Sequence, residues 1–285
     1  MADCRPHIFA DKIRRPADFS MREEHYHQEY ELFYMVSGRC RMFVNHTIYH
    51  LKAGDMLLIE PMALHRTMYG ITQENERIDV TFGTEALEWM NQHCGTEWME
   101  MSKKQPFLEL EPGRRSYVEQ LFQKMMAEKQ KKDQFSEMMS QVYLCELMVF
   151  IGRQLEGEKY TAHKGGLQLE LTQKQELEEP IQQAARYIYT HFDEPLTLEI
   201  MAEMVHMSPT YFSRRFRQIT GFGFKEYINY VRLKEASKLL LETRLPLMEI
   251  AHRCGFSDSN YFGDLFKKEK GISPRMYRKN PQIMP

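Results

Sequence analysis

Two kinds of hydrophobic pattern follow one another along the chain. Between residues 30 and 82, short runs rich in β-branched and aromatic residues are separated by turn residues such as Ser37-Gly38 and Ala53-Gly54-Asp55. This pattern predicts β-strands, and many short strands joined by tight turns are typical of a small antiparallel barrel or sandwich. The predicted strands are Tyr30–Ser37, Cys40–Val44, Met56–Ile59 and Ile78–Phe82.

After residue 114 the apolar residues recur at a spacing of about 3.6, which predicts helices. Arg114–Gln130 and Phe135–Leu155 would form a hairpin joined by a short charged turn. That hairpin either packs against the protein's own strands or forms an interface with another copy, and the pattern is compatible with both. One face of the second helix carries Met138, Val142, Cys145 and Val149.

Residues 157–180 are polar, include Gly165-Gly166 and an acidic run, and have little to bury. We interpret them as a linker between a front domain, residues 1–156, and a back domain, residues 181–285. The back domain has an almost entirely helical pattern, so the predicted fold class is α+β with two domains. Its predicted helices are Ile181–Phe192, Leu198–Val205, Pro209–Thr220, Phe224–Leu241, Leu247–Cys254, Asp258–Lys270 and Pro274–Lys279.

The distribution of charge separates the two predicted domains. Residues 1–180 contain 22 Lys and Arg against 29 Asp and Glu, whereas residues 181–285 contain 16 against 11. The net charges are therefore −7 and +5, and a basic domain suggests a polyanionic partner such as nucleic acid. The apolar runs are far shorter than the roughly 20 residues of a membrane span, so we expect no transmembrane helix.

The five cysteines include no Cys-x-x-Cys pair. This argues against a disulfide framework or a cysteine zinc site and fits a reducing compartment. The charged start of the chain lacks the apolar stretch of a signal peptide. We therefore expect a cytoplasmic protein.

The first part of the back domain has the pattern of a helix-turn-helix unit. After the short helix Leu198–Val205, Ser208 is the expected N-cap of a second helix, and Pro209 suits its first position because no N–H is needed there. Gly221 is the expected C-cap. The face opposite the apolar one carries polar and basic side chains that a DNA major groove can accept. These side chains are Thr210, Ser213, Arg214 and Arg217.

The same plan recurs about fifty residues later, with Leu247–Cys254 and Asp258–Lys270 as the two helices. Asn260 can pair bidentately with adenine. Asp264 is unfavourable beside phosphate, so we expect this helix to bind more weakly or less specifically. A long helix between the units would fix their separation, so that both could enter successive major-groove segments roughly 34 Å apart. The exposed face carries Ser259, Asn260, Gly263, Asp264 and Lys267.

Three histidines and a glutamate could meet inside the predicted barrel. On a strand, residues of the same parity share one face, so His25, His27 and Glu31 can point inward together, and a later strand can add His65. Such a set can hold Zn²⁺, Fe²⁺, Mn²⁺ or Ni²⁺, bind the hydroxyls of a small polar ligand, or have only a structural role at the barrel mouth. The expected lining is His25, His27, Glu31, Phe33, Met35 and His65.

Some twenty positions between residues 181 and 280 resemble, in order, the DNA-binding domain of the AraC/XylS family of bacterial transcription regulators. They include Pro209-Thr210-Tyr211-Phe212-Ser213-Arg214, Gly255-Phe256-Ser257-Asp258 and Tyr261-Phe262. Many members carry a basic residue where this chain has Asp264. The resemblance implies DNA contacts by Thr210, Ser213, Arg214, Arg217, Ser259, Asn260, Gly263 and Lys267.

The front segment resembles the cupin-type effector domain that precedes the DNA-binding domain in many members of that family. The pattern H-x-H-x-x-x-E followed by glycine is complete at His25, His27, Glu31 and Gly38, whereas the second cupin motif is partial. The resemblance implies a cupin-like β-barrel that binds a small-molecule effector, with the helical hairpin as dimer interface. It also favours activation of transcription and a sugar or sugar derivative as effector.

We therefore expect an effector-controlled transcription regulator without enzymatic activity, which binds promoter DNA as a homodimer. No cofactor is expected, although a divalent metal at His25, His27, Glu31 and His65 stays possible. Two other functions stay open. One is a metal-dependent cupin enzyme fused to a DNA-binding domain, and the other is a DNA-binding regulator that needs no ligand.

Overall fold

The computed structural model describes residues 8–16, 27–69, 74–94, 106–161 and 172–279. The chain divides into two units, the first formed by residues 1–44 and 48–167 and the second by residues 168–285 together with residues 45–47. The first unit contains all the described strands and three helices, and the second is helical.

The strands of the first unit form two antiparallel sheets. A five-stranded sheet has the order β1-β7-β2-β5-β8, and a three-stranded sheet has the order β4-β3-β6. The strands are β1 (Ile8–Arg15), β2 (Tyr30–Ser37), β3 (Arg39–Val44), β4 (Thr47–Lys52), β5 (Asp55–Ile59), β6 (His65–Tyr69), β7 (Asn75–Phe82) and β8 (Phe107–Glu109).

The five-stranded sheet is buried on both faces. Leu32 and Tyr34 of β2 pack into a core shared with the helices. The alternate residues Phe33 and Met35 pack into a second core that includes Met42 of β3, so this core lies between the sheets. The first unit is thus a cupin-like β domain with helices on one outer face.

The three helices of the first unit are α1 (Thr84–Cys94), α2 (Pro112–Lys131) and α3 (Ser136–Thr161). The predicted hairpin corresponds to α2 and α3, which are joined through Lys132 in the left-handed backbone region. Phe122 and Leu144 are buried against the five-stranded sheet. Of the two alternatives for the hairpin, packing against the protein's own strands is therefore present in the structure.

Among the described residues, the sequence prediction missed helix α1 and gave no bounds for the strands β1, β4, β6 and β8, although it expected a later strand to carry His65. These four strands are the edges of the two sheets. An edge strand pairs through its backbone on one side only and carries a mixed polar pattern, so its hydrophobic signal is weak.

The boundary between the two units falls within the predicted linker 157–180, but much of that segment is helical. Residues 157–161 belong to α3, and a helix beginning at Thr172 passes through Pro180. Glutamine, glutamate, lysine and leucine are good helix formers, so a polar composition does not by itself end a helix. Residues 162–171 lie outside the described part of the chain.

The second unit contains two helix-turn-helix pairs, as the sequence predicts. Its helices are α4 (Thr172–Thr190), α5 (Leu198–Met204), α6 (Pro209–Thr220), α7 (Phe224–Glu242), α8 (Leu247–Arg253), α9 (Ser259–Lys270) and α10 (Pro274–Lys279). Within the described residues, no helix combines the length and the apolar character needed to cross a bilayer.

Arg232 of α7 connects the two pairs. Its Nε donates to the carbonyl oxygen of Phe192 and its Nη2 to that of Glu194, both at 2.8 Å. The guanidinium also lies 5.7 Å from the ring centroid of Phe256, in the turn of the second pair. The adjacent Gly255 has φ +79°. The long helix α7 therefore holds the turn of one pair against the segment that leads into the other.

Replacing Gly255 by alanine should destabilise this junction by about 3 kcal/mol, through a left-handed backbone and a steric clash. The added Cβ would lie 2.7 Å from the Phe192 carbonyl oxygen and 2.9 Å from Arg232 Nε. Gly271→Ala is the matched control, since Gly271 has φ +73° but open space around it. It should cost about 1 kcal/mol. Urea unfolding followed by circular dichroism measures the free energy of unfolding of both variants. Equal losses of stability in the two variants would contradict the packing role of Gly255.

Candidate functional site

Helices α6 and α9 share one design at an offset of fifty residues. Each has 12 residues. The side chain of Ser208 caps α6 by accepting from the N–H of Tyr211, and that of Asp258 caps α9 by accepting from the N–H of Asn260. Both helices end at a glycine in the left-handed region, Gly221 and Gly271. The expected caps Ser208 and Gly221 are confirmed, whereas Asp258 precedes α9 rather than opening it.

The predicted DNA contacts lie on the outer faces of these helices. Phe212 and Phe216 of α6 and Phe262 and Phe266 of α9 are buried. Ser213 and Gly263 are half-buried. The remaining predicted contacts are exposed, namely Thr210, Arg214, Arg217, Ser259, Asn260 and Lys267. We call the outer residues 210, 213, 214 and 217 the reading face of α6, and the outer residues 259, 260, 263, 264 and 267 the reading face of α9.

Tyr211 supports Arg214 within α6. The guanidinium carbon of Arg214 lies 5.6 Å from the centroid of the Tyr211 ring, within the range of a cation–π contact. Since the two residues are three apart on one helix, the ring restricts the arginine side chain to fewer positions. Sequence reasoning missed this pair, although the i, i+3 spacing of Tyr and Arg is visible in the chain.

The last turn of α9 contains one lysine that does not face outward. Lys270 is 5% exposed, and burial lowers its pKa to about 8. Lys267 and Lys268 are exposed. The positive charge available to a polyanion on α9 therefore comes from the latter two.

In the first unit, His27, Glu31 and His65 converge, as the sequence predicts, and we call them the histidine–carboxylate cluster. The Nε2 atom of His27 is 2.9 Å from Glu31 Oε2, and the Nε2 atom of His65 is 3.3 Å from the same oxygen. The two imidazole centroids are 5.1 Å apart. His25 lies outside the described residues.

The backbone fixes the orientation of both rings. Nδ1 of His27 is 2.8 Å from the Glu29 carbonyl oxygen, and Nδ1 of His65 is 2.8 Å from that of Ala63. A carbonyl oxygen only accepts, so each Nδ1 carries a proton. Both Nε2 atoms therefore face Glu31.

The charges of the cluster stabilise one another. Burial acts to raise the pKa of Glu31, but contacts with His27 and His65 outweigh it and hold that pKa well below its usual range. Burial acts to lower the pKa of His27, but the Glu31 carboxylate outweighs it and the pKa is raised. These directions favour an ionised Glu31 beside a protonated His27.

A second polar group between the sheets was missed by sequence reasoning. Nη2 of Arg77 is 2.8 Å from Asp79 Oδ2, and Nη1 donates to the Tyr69 hydroxyl at 3.1 Å. The guanidinium lies 5.1 Å from the centroid of the Phe33 ring. Burial and the nearby charge of Glu31 raise the pKa of Asp79 to about 7. The signal was the alternation of polar and apolar residues along β7, which usually marks a solvent-facing strand.

The donors of the histidine–carboxylate cluster fit a divalent cation. All three ligand atoms lie within 4.8 Å of one another. Two ligands at about 2.1 Å from one ion and 90–110° apart are separated by about 3.0–3.4 Å, which resembles the measured 2.9 and 3.3 Å. Imidazoles that donate their second N–H to a carbonyl are typical of metal ligands. The same contacts equally form a hydrogen-bonded ion pair, so the geometry supports both occupants.

Comparison with known proteins assigns a family to each half of the chain. The family described as AraC-like ligand binding domain matches residues 12–148. The family described as helix-turn-helix domain matches residues 201–280. Together these matches include the histidine–carboxylate cluster and both reading faces.

Three relatives are also transcription regulators by name. The HTH-type transcriptional regulator YisR of Bacillus subtilis is 28% identical over 263 residues, covering 88% of this chain and 85% of YisR. The HTH-type transcriptional activator RhaR of Yersinia pestis is 26% identical over 266 residues, covering 90% and 84%. The HTH-type transcriptional regulator YijO of Escherichia coli is 43% identical over 93 residues, so that match spans 33% of each chain.

Arg214→Ala should weaken site-specific DNA binding by about 10- to 100-fold, because one bidentate contact to a base is lost. Binding to unrelated DNA should change far less. Fluorescence anisotropy with a specific and a scrambled duplex measures both. Arg114→Ala in the first unit removes the same charge and should leave both affinities unchanged. An Arg214→Ala protein with unchanged specific affinity would remove this residue from the reading face.

Proposed function

Because the chain belongs to the AraC/XylS family of transcription regulators, we propose that its second unit binds promoter DNA and that its first unit senses a small-molecule effector. One observation carries the first part of the proposal. Helices α6 and α9 repeat the same capped and buried framework, and each presents an outer face of polar and basic side chains. Outer faces of this kind support the entry of both helices into the major groove.

Different side chains of the reading faces supply the affinity and the specificity of DNA binding. Lysine and arginine side chains supply affinity through phosphate contacts, which makes binding depend on salt. Base-edge contacts supply specificity, and Arg214 and Asn260 have the donor geometry for guanine and adenine. Tyr211 supports Arg214 by restricting its position before DNA arrives.

The interior of the first unit suits a small, neutral, polar effector such as a sugar. Glu31 and Asp79 offer acceptors, while His27 and Arg77 offer donors. Hydroxyl groups donate and accept, so a polyol can satisfy both kinds of partner. The aromatic ring of Phe33 supplies an apolar wall. A few polar groups within apolar walls are typical of ligand sites.

Effector and DNA binding are coupled in this proposal. If the effector strengthens DNA binding by some factor, DNA strengthens effector binding by the same factor. RhaR is a transcriptional activator, which supports activation as the outcome. The relatives' names as regulators support a role without enzymatic activity. DNA as the partner supports a location in the cytoplasm.

A divalent metal is a second candidate occupant of the histidine–carboxylate cluster, and the orientation of both imidazoles favours it. His27, Glu31 and His65 would hold the ion. A bound cation would supply a Lewis-acidic contact for effector oxygens. Glu31 would then serve as ligand, while Arg77 and Asp79 remain available to the effector.

We further propose a homodimer formed through the start of α3. Phe135, Met138 and Val142 are 62%, 65% and 45% exposed. Cys145 and Val149 continue the same stripe but pack against the unit's own core. The spacing of three and four residues is that of a coiled-coil seam. A second copy supplies a matching stripe, so each would cover the other.

A gel shift with the intergenic DNA flanking the protein's own gene tests the sensor function. With a panel of sugars and small acids, one compound should change the affinity for DNA. Glu31→Gln should keep basal DNA binding but weaken the response to that compound at least tenfold, because a buried charge that orients both histidines is lost. Glu109→Gln is the control, since Glu109 forms a surface ion pair with Lys52 and should respond like the wild type.

The other outcomes of this assay are distinct. Specific binding that no compound alters would favour a regulator that needs no ligand. A response that survives Glu31→Gln would place the effector elsewhere. Elemental analysis of the same samples detects a stoichiometric metal, and its loss in Glu31→Gln would assign it to the cluster. No specific DNA binding would contradict the proposed function.

Val142→Glu should weaken the dimer at least tenfold, because two carboxylates would be buried in the seam. Analytical ultracentrifugation at micromolar concentration measures the change. Gln123→Glu adds the same charge at an exposed position of α2 and should remain dimeric. A monomeric wild type, or a dimeric Val142→Glu protein, would contradict this interface.

A further inference from the structure

Helices α6 and α9 correspond residue by residue at an offset of fifty, so each serves as a template for the other. The buried phenylalanines coincide, with Phe212 matching Phe262 and Phe216 matching Phe266. The caps at both ends coincide as well. The inward faces match as far as the second phenylalanine and differ in the last turn, where buried Ile219 corresponds to exposed Glu269. Positions 213/263 and 214/264 lie within the matching part, so the buried phenylalanines do not impose the differences there.

Two adjacent positions of the reading faces differ in chemistry. Ser213 of α6 corresponds to Gly263 of α9, and Arg214 corresponds to Asp264. The flanking positions keep their character, with a polar residue at 210 and 260 and a basic residue at 217 and 267. The centre of the α9 face has thus lost one side chain and reversed one charge.

Gly263 has no packing reason to be glycine. A Cβ at this position would meet no heavy atom within 4 Å among the described residues. Glycine inside a helix is less favourable than alanine, so the helix is weakened without any gain inside the protein. The missing side chain leaves room for a close approach from outside.

Asp264 is exposed and has no role within the helix. No described residue forms a hydrogen bond or an ion pair with its carboxylate, although Lys267 and Lys268 are three and four residues further along. Instead, the Nζ atom of Lys268 lies 3.8 Å from Oε1 of Glu269. The carboxylate is therefore available to an outside partner.

A carboxylate accepts hydrogen bonds and is repelled by phosphate. In the major groove, cytosine N4 and adenine N6 are the amino donors, and aspartate pairs with cytosine N4. Arginine at the corresponding position of α6 donates to guanine instead. The absent side chain at Gly263 would let Asp264, a short residue, come within reach of a base edge.

We propose that Gly263 and Asp264 make α9 a cytosine-selecting helix, so that the operator consists of two unlike segments. The segment contacted by α6 contains a guanine opposite Arg214, and the segment contacted by α9 contains a cytosine opposite Asp264. This inference rests on the proposed binding of DNA by α9. The sequence alone predicts weaker or less specific binding by α9. The proposal instead makes α9 discriminate between bases, because Asp264 lowers the affinity for DNA wherever no base amino group faces its carboxylate.

The test is selection of duplexes from a randomised library by the full-length protein, followed by sequencing and affinity measurements on the selected duplex. The wild type should select two segments about one helical turn apart. Replacing the cytosine should weaken wild-type binding about 10- to 100-fold. Asp264→Asn should reduce that discrimination to less than threefold and leave the other segment unchanged, while Arg214→Ala should alter only the segment contacted by α6.

Gly263→Ala tests the close approach separately. It should raise the melting temperature by about 2–4 °C, since alanine favours the helix, yet weaken binding to the selected duplex at least tenfold. Gly113→Ala is the matched control, because Gly113 is a helical glycine of α2 that also has open space around it. It should leave DNA binding unchanged.

Lys267→Ala separates this inference from the proposed function. If Lys267→Ala weakens binding but Asp264→Asn leaves base preference unchanged, cytosine selection is wrong while α9 remains a DNA contact. If neither variant alters binding or the selected sequence, α9 does not contact DNA and both ideas fail for this helix. Unchanged DNA affinity in Gly263→Ala would overturn the close approach.

Discussion

The way in which Arg232 is held determines the geometry of the second unit. One guanidinium donates to two carbonyl oxygens beyond the end of α4, those of Phe192 and Glu194, and lies over the ring of Phe256. The Glu194 oxygen also accepts from the N–H of Leu196. The contact requires a close backbone approach, which only a glycine permits at position 255. A planar group with several fixed donors suits this task better than a lysine ammonium would. The relative placement of α6 and α9 therefore depends on one side chain that touches neither reading face.

The first unit contains buried charged groups between its two sheets. A charge between two sheets is tolerated only when other groups compensate it. Glu31 is compensated by His27 and His65, and Arg77 by Asp79 and Tyr69. Apolar residues of similar size would pack there at least as well. The polar interior is thus costly to maintain, and the effector binding proposed above would account for it.

Sequence reasoning succeeded where the physical signal was local and strong. Capping residues and helical periodicity gave α6 and α10 their correct bounds, and α9 within one residue. It failed where contacts distant in sequence determine the structure. Edge strands bury little apolar surface, so their pattern is weak. The polar residues Arg77 and Asp79 of β7 face inward because each compensates the charge of the other. Residue parity indicated that Glu31 and the histidines could meet. The contact distances and the support of Arg214 by Tyr211 depend on side-chain conformations that a linear pattern does not contain.

The difference between the two reading faces also gives each bound chain a direction. If α6 and α9 were chemically alike, the two segments would carry the same bases and each helix could occupy either one. Because Arg214 and Asp264 favour different bases, turning the site around would place each helix on the wrong segment. The unit would therefore point one way along the duplex. A regulator with this property can distinguish upstream from downstream, so the orientation of its site relative to the start of transcription becomes part of the regulatory signal.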